Sequence, residues 1–214
     1  MSEHDIDPVD FKYLVENSEG EREIAQYLKE YPWILYWTFC SLSGHERYVF
    51  KEFPLGTNYR ADFVILNSYS GAWKAHFIEL ESVSDKIFTK GGTPTQCFAK
   101  ANRQIDQWKQ FVSTELHQVR QEFCKWTASR DILHYSDPSP NPANNSLDYL
   151  LDPNTVILTN YHVIIGRSSQ LSKEQRGIKG AYSNHHASDI VTYDRLLALV
   201  EKRYPLSKYN LPED

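Results

Sequence analysis

Residues 59–81, YRADFVILNSYSGAWKAHFIELE, decide the fold. Two apolar runs, RADFVIL and AWKAHFIELE, flank the turn-rich NSYSG, and apolar side chains alternate along both. That is the period of a β-strand with two unlike faces, and an antiparallel hairpin is the economical reading. The alternation sends Asp62, Val64 and Leu66 to one face and Ala61, Phe63 and Ile65 to the other. In the second run Phe77, Glu79 and Glu81 share a face opposite Ile78 and Leu80. Three carboxylates thus fall on neighbouring strands, where they repel one another and raise each other's pKa. A chain relieves that by turning the acids into water, by pairing them with Lys or Arg, or by coordinating a hard divalent cation such as Mg²⁺. On spacing alone the solvent-facing and metal-binding readings both stand.

Outward from the hairpin, RYVFKEFPLG on its N-terminal side predicts a further strand, punctuated by Pro54-Leu55-Gly56. Upstream of it, NSEGEREIAQYLKEYPWIL predicts a helix with Ser18 as N-cap, Glu21 as capping-box partner and Pro32 marking its end. Downstream, SVSDKIFTKGGTPTQ reads as a loop whose Gly91-Gly92 step suggests a flap able to close over a bound strand. Apolar spacings of three and four from Phe98 to Trp126 then predict one long helix, about residues 96–126. SDPSPNPANNS is a loop by composition. TVILTNYHVIIGR supplies one strand or two, SKEQ opens a short capped helix, DIVTYD is a strand end and RLLALVEKRY a terminal helix. The pattern predicts an α/β fold with a central mixed β-sheet flanked by helices.

A hydrophobic content of 41% with 14% aromatics supplies a real core. No run reaches the roughly 18 apolar residues of a membrane helix. MSEHDIDPVD is too polar for a leader, so a cytoplasmic location and no membrane partner are expected. Cys40, Cys97 and Cys124 fit no zinc spacing or disulfide framework and are expected to be buried free thiols. A net charge of −5 argues against a general nucleic-acid coat protein. A local basic excess nevertheless runs through Lys86, Lys90, Lys100, Arg103 and Lys109, against one acid beyond the loop's start, Asp106. Phosphate contacts come from such residues, although a solvated helix face explains them equally well. Gln104 lies on the rim of the long helix's buried stripe, where a polar amide needs a partner. His185-His186 reads as part of a surface loop with nothing to complete a zinc site.

The ordered set RADFVIL, FIELE and AKANRQIDQWKQF resembles the core of the PD-(D/E)xK nuclease superfamily, and more closely the Shedu family of bacterial anti-phage defence proteins. EREIAQYLKEYPWIL, VIIGRSSQL and IVTYDRLLALVE extend the resemblance over about residues 19–202. It implies a restriction-endonuclease-like core over residues 19–214, preceded by an N-terminal extension, 1–18. It implies as well that Asp62 and Glu79 bind Mg²⁺ or Mn²⁺, that Glu21 completes the metal site, and that Gln104 orients the attacking water. Glu81 departs from the pattern, standing where the superfamily usually has its lysine. A glutamate there can bind metal or act as general base but supplies no positive charge. Lys100, one helical turn from Gln104, is the candidate to supply it, and Lys86, Lys90, Lys100 and Arg103 are the candidate DNA contacts. The resemblance therefore implies a metal-dependent DNA endonuclease of anti-phage defence, working as a homo-oligomer with a regulatory protein partner. The alternative is a catalytically inactive relative that keeps the fold as a DNA-binding or assembly module.

Overall fold

The computed structural model describes residues 8–18, 20–40, 46–69, 71–128, 133–134 and 150–203. The loop expected at 136–146 lies outside them. In chain order the helices are α1 (Pro8–Asn17), α2 (Glu21–Glu30), α3 (Trp33–Phe39), α4 (Gln96–Thr114), α5 (Leu116–Thr127), α6 (Lys173–His186) and α7 (Tyr193–Arg203). The strands are β1 (Arg47–Leu55), β2 (Tyr59–Tyr69), β3 (Ala72–Leu80), β4 (Leu133–His134), β5 (Ile157–Ile164) and β6 (Asp189–Val191).

They form one sheet in the order β4-β1-β2-β3-β5-β6. β1, β2 and β3 are an antiparallel meander, while β3–β5 and β5–β6 pair in parallel, so the sheet is mixed as expected. Helices cover both faces. α4 and α5 pack on one face against Phe50, Val64, Phe77 and Val163. On the other face α1, α2, α3 and α7 meet Phe63, Ile65, Ile78 and Ile164. Phe11 and Val15 of α1 are part of that second core. β3 is the central strand, and from Ala75 to Leu80 every residue is buried. A polar side chain in that stretch therefore needs a partner inside the protein.

Several local expectations change. The strict alternation in β2 fails at Asp62: Ala61 joins Val64 and Leu66 on the α4–α5 face, while Phe63 and Ile65 face the other way. β1 switches faces at the same level, with Tyr48 and Phe50 but also Phe53 and Leu55 in the α4–α5 core. The step lies at Glu52, held at φ +55, in the left-handed region non-glycine residues seldom occupy. The register pairs Lys51 with Phe63 and Phe53 with Ala61, and skips Glu52 and Asp62.

α2 begins at Glu21 with Gly20 as N-cap and no side-chain cap bond. Ser18 stands too far upstream to cap and donates to Glu23 instead, at 3.0 Å. The single long helix is two, broken at Glu115 (φ −117, ψ 33). There the hydroxyls of Ser113 and Thr114 donate to the Gln110 and Phe111 carbonyls and compete with the helical bonds. The helix opened by SKEQ has the expected capping box, Ser172 with Gln175. It runs on for 14 residues, so His185 and His186 lie on a helix and not in a loop. Cys40 is buried, but Cys97 is exposed and Cys124 half-buried.

The 82–95 loop is not a free flap. Phe88 is buried and bridges to Pro94, and Gln175 of α6 donates to the Thr89 carbonyl at 2.8 Å. Gly92 sits at φ +80, where a Cβ would strike Ile178 of α6. Glycine suits that left-handed backbone, and the Ile178 side-chain end can shift to relieve the contact.

Candidate functional site

The break at Asp62 decides what its carboxylate can reach. Continuing the β2–β3 register one step past Phe63–Ile78 sets Asp62 opposite Glu79. Oδ2 of Asp62 accepts the Leu80 N–H at 2.8 Å, so the side chain takes over a ladder bond at the end of the strand pair. The Asp62 and Glu79 carboxyls hydrogen-bond to each other. From the α4 side, Gln104 Nε2 donates to Glu79 Oε2 at 2.9 Å, which is the partner its rim position required. The residue expected to orient a water thus spends its amide on holding a carboxylate.

Burial is the largest influence on these acids. It pushes Glu79 up to about 10, with Asp62, Glu81 and Glu21 adding repulsion. It pushes Asp62 up to about 6, against the favourable Leu80 N–H. Glu81, half-buried at the end of β3, rises to about 7, with Glu21 raising it further and the Lys100 ammonium opposing. Among the described residues no ion pair forms to Asp62, Glu79 or Glu81. Deprotonated together, the half-buried Asp62 and the buried Glu79 would be adjacent anions with no ion-pair partner among the described residues, which is unfavourable unless a cation or a shared proton relieves it.

Access is from the α2 side. A cleft of about 370 Å³ between α2 and the bend of β1–β2 is lined by Glu21, Arg22, Lys51, Glu52 and Asp62, among others. The structure thus gathers Asp62, Glu79 and Gln104 by direct contact, and sets Glu81 and Glu21 close enough to act through their charge. Among the described residues no three His, Cys, Asp or Glu side chains form a complete metal cage. The donor set still fits Mg²⁺ or Mn²⁺, because both contacting groups are hard carboxylates and Mg²⁺ commonly keeps several waters beside one or two of them.

Lys100 and Arg103 are exposed on α4, and Lys86 and Lys90 on the anchored loop. Lys109 is turned away, onto Asp106 and the His186 carbonyl. Arg167 is a structural pair, its Nε 3.0 Å from Asp194. His186 stacks on Tyr182 at 4.1 Å, away from the acids. Sequence reasoning missed Glu52 and Tyr193. The three-residue spacing between Phe50 and Phe53, in a strand otherwise of period two, was the available signal for Glu52. Tyr193 carries no such signal, because it reads as one more apolar position of α7.

No curated protein matches the chain at a significant level. The family described as Shedu protein SduA, C-terminal, matches residues 18–197, which takes in Glu21, the hairpin, α4 and Tyr193. The chain belongs to that family.

Proposed function

We propose that this protein is a metal-dependent DNA endonuclease of bacterial anti-phage defence, built on a restriction-endonuclease-like core. The observation that carries the reading is the Asp62–Glu79 pair: a half-buried and a buried carboxylate in mutual contact, fixed by the Leu80 N–H and the Gln104 amide, with no Lys or Arg paired to them among the described residues. Shedu family membership points to the defence role. Mg²⁺ or Mn²⁺ bound there would neutralise charge on a phosphoryl oxygen and make water a better nucleophile.

In this reading Asp62 and Glu79 are the principal metal ligands, with Glu81 and Glu21 completing the acidic set. Glu81 can accept a proton from the attacking water as the new P–O bond forms and the ester bond to the leaving oxygen breaks. Lys100, whose charge already acts on Glu81, stabilises the transition state in place of the superfamily lysine. Lys86, Lys90 and Arg103 contact the DNA backbone. The active form is a cytoplasmic homo-oligomer answering to a regulatory protein.

Incubating the purified protein with linear and closed-circular DNA in Mg²⁺, Mn²⁺ or EDTA tests this. Cleavage of both, lost in EDTA and in Asp62→Ala, is expected. Absence of cleavage with either metal, or cleavage surviving in both Asp62→Ala and Glu79→Ala, overturns it. The glutamate at position 81 favours a second reading, a DNA-binding module without chemistry, and salt-dependent DNA binding without cleavage would select it.

A further inference from the structure

Tyr193 opens α7 and is fully buried, its ring within the core that α7 shares with α1, α2 and α3. Its hydroxyl donates to the backbone carbonyl of Glu81 at 2.8 Å. The Glu81 N–H donates to the Ile164 carbonyl at 2.9 Å, so both backbone groups of Glu81 are held. The next residue is held too: the Ser82 carbonyl accepts the N–H groups of Gly166 and Asp85, each at 3.2 Å. Gly166 returns to Tyr193, whose N–H donates to the Gly166 carbonyl at 3.1 Å. At φ +61, Gly166 passes so close to residue 85 that a Cβ would collide with the Asp85 carbonyl oxygen.

The start of α7 is anchored from its other side. Asp194 accepts from Arg167 Nε and from the Ser168 N–H, and Arg167 Nη1 reaches the Val15 carbonyl in α1 at 3.4 Å. Ring packing alone would be served by phenylalanine at position 193. The hydroxyl adds one directed bond to the residue where β3 ends. Burial and the charges of Glu21, Asp62, Glu81 and Asp85 drive the phenol's pKa far above its ordinary value, so it remains a donor.

We propose that Tyr193 is a positioning residue whose hydroxyl fixes the point at which Glu81 leaves the sheet, and so sets where the Glu81 carboxylate stands beside Asp62 and Glu79. The consequence for metal binding rests on the nuclease reading above; the placement of Glu81 does not. Tyr193→Phe keeps the ring and removes the bond. Amide hydrogen exchange at Glu81 and Ser82 should quicken roughly 2- to 10-fold, the scale of one lost hydrogen bond. Exchange at Phe63 to Leu66 in β2 should not change.

Mn²⁺ affinity measured by calorimetry should weaken about fivefold or more in Tyr193→Phe. The same substitution in a Glu81→Gln background should weaken it no further, because coupled residues are not additive. A purely structural tyrosine predicts faster exchange throughout the sheet and the same loss in both backgrounds. Unchanged exchange at Glu81, or additive losses of Mn²⁺ affinity, overturns the assignment. A wild-type chain that takes no Mn²⁺ overturns the nuclease reading instead, and the exchange comparison then decides the placement of Glu81 alone.

Discussion

β3 contributes a buried polar residue to each of two pairs, His76 and Glu79, three residues apart and on opposite faces of the sheet. Glu79 meets Asp62 on one side; His76 meets His162 on the other, His76 Nδ1 lying 3.0 Å from His162 Nε2 with the rings nearly parallel. Burial acts on both pairs by penalising the charged form, and its consequences are opposite. It lowers His76 to about 4 and His162 well below its ordinary value, with Lys74 acting on the first, and His76 and Arg195 on the second. Neutral imidazole is the form the pair keeps at neutral pH, and one ring donates while the other accepts. The histidine pair needs no charge from outside, although His162 Nδ1 has no hydrogen-bond partner among the described residues. For the carboxylates burial also favours the neutral form: with Glu79 pushed up to about 10 and Asp62 to about 6, the pair keeps one proton between its members at neutral pH. That pair can exchange its single proton for a cation, which the neutral imidazoles have no cause to do, and the functional reading rests on it.

The sharpest way to break the contrast is to remove one member of each pair. Asp62→Ala or Glu79→Ala should lower cleavage by at least about 100-fold, beyond the 10–100-fold typical of residues one step removed from a metal. Circular dichroism should show both variants folded. His76→Gln should cleave within about twofold of wild type, the spread of ordinary context effects. Equal losses in a plasmid-nicking assay would erase the distinction between the pairs.

Stability offers the next test. A ligand at 100 times its dissociation constant stabilises the folded state by about 2.7 kcal/mol. In a domain of this size that raises Tm by roughly 5–10 °C. Mg²⁺ or Mn²⁺ should produce such a shift in wild type and in His76→Gln, and none in Glu79→Gln. In EDTA at neutral pH, Glu79→Gln should melt within about 2 °C of wild type, since Glu79, pushed up to about 10, is already neutral there and the amide is its isostere. Scanning calorimetry reads all of these. A Glu79→Gln variant that melts lower in EDTA would mean that the acids support each other through their shared proton.

Much of the acid side is legible in the chain because it is local. The hairpin, the opposition of Glu79 to Ile78 and Leu80, and the partner required by Gln104 all follow from spacings of two, three and four. What stays hidden depends on distant residues. Two helices that bury side chains in one core, Val112 in α4 and Val119 in α5, keep a common apolar rhythm, so the break at Glu115 leaves no gap in the pattern. The switch at Asp62 needs a concerted step in β1, and only the spacing from Phe50 to Phe53 hints at it. Tyr193 falls into register with Leu196, Leu197 and Val200, which accounts for its ring and conceals the errand of its hydroxyl 112 residues back along the chain. Local periodicity places backbone and apolar faces; it says nothing about which polar atoms meet across the core.

The histidine pair works against stability on the acid side of neutrality. The ordinary value of His76 is 6.5 and its folded value about 4, so between those limits the unfolded chain binds a proton that the folded chain refuses. The contribution of His76 is therefore fully present above about pH 6.5 and falls as the pH drops toward 4. Asp62, Glu79 and Glu81 contribute in the opposite sense, since their raised values favour the folded state as they take up protons. The neighbours that bear on this are Lys74 beside His76, with Asp189 and Arg195 beside His162. His76→Gln should flatten the decline between pH 6.5 and 4 by about 1–3 kcal/mol, at up to about 1.4 kcal/mol per pH unit per proton. Urea unfolding across that range measures it. A slope that His76→Gln leaves unchanged would place the acid sensitivity elsewhere in the molecule.

The smallest expected effect separates the surroundings of the pairs. Lys100 lies on the α4 surface with its charge felt at Glu81, while Lys74 lines a second cleft, about 550 Å³, beside His76. If DNA lies across the acids, Lys100 neutralises a phosphate and Lys74 does not. Each neutralised phosphate contributes about −0.9 to the slope of log K against log salt. Lys100→Ala should therefore flatten that slope by about one, and Lys74→Ala should leave it unchanged. Measuring DNA binding in Ca²⁺ keeps a divalent ion present while the ends of the substrate stay intact. Equal slopes for the two variants would mean that the DNA does not distinguish the faces of β3, and the acids would then lose their claim to be where a phosphate backbone docks.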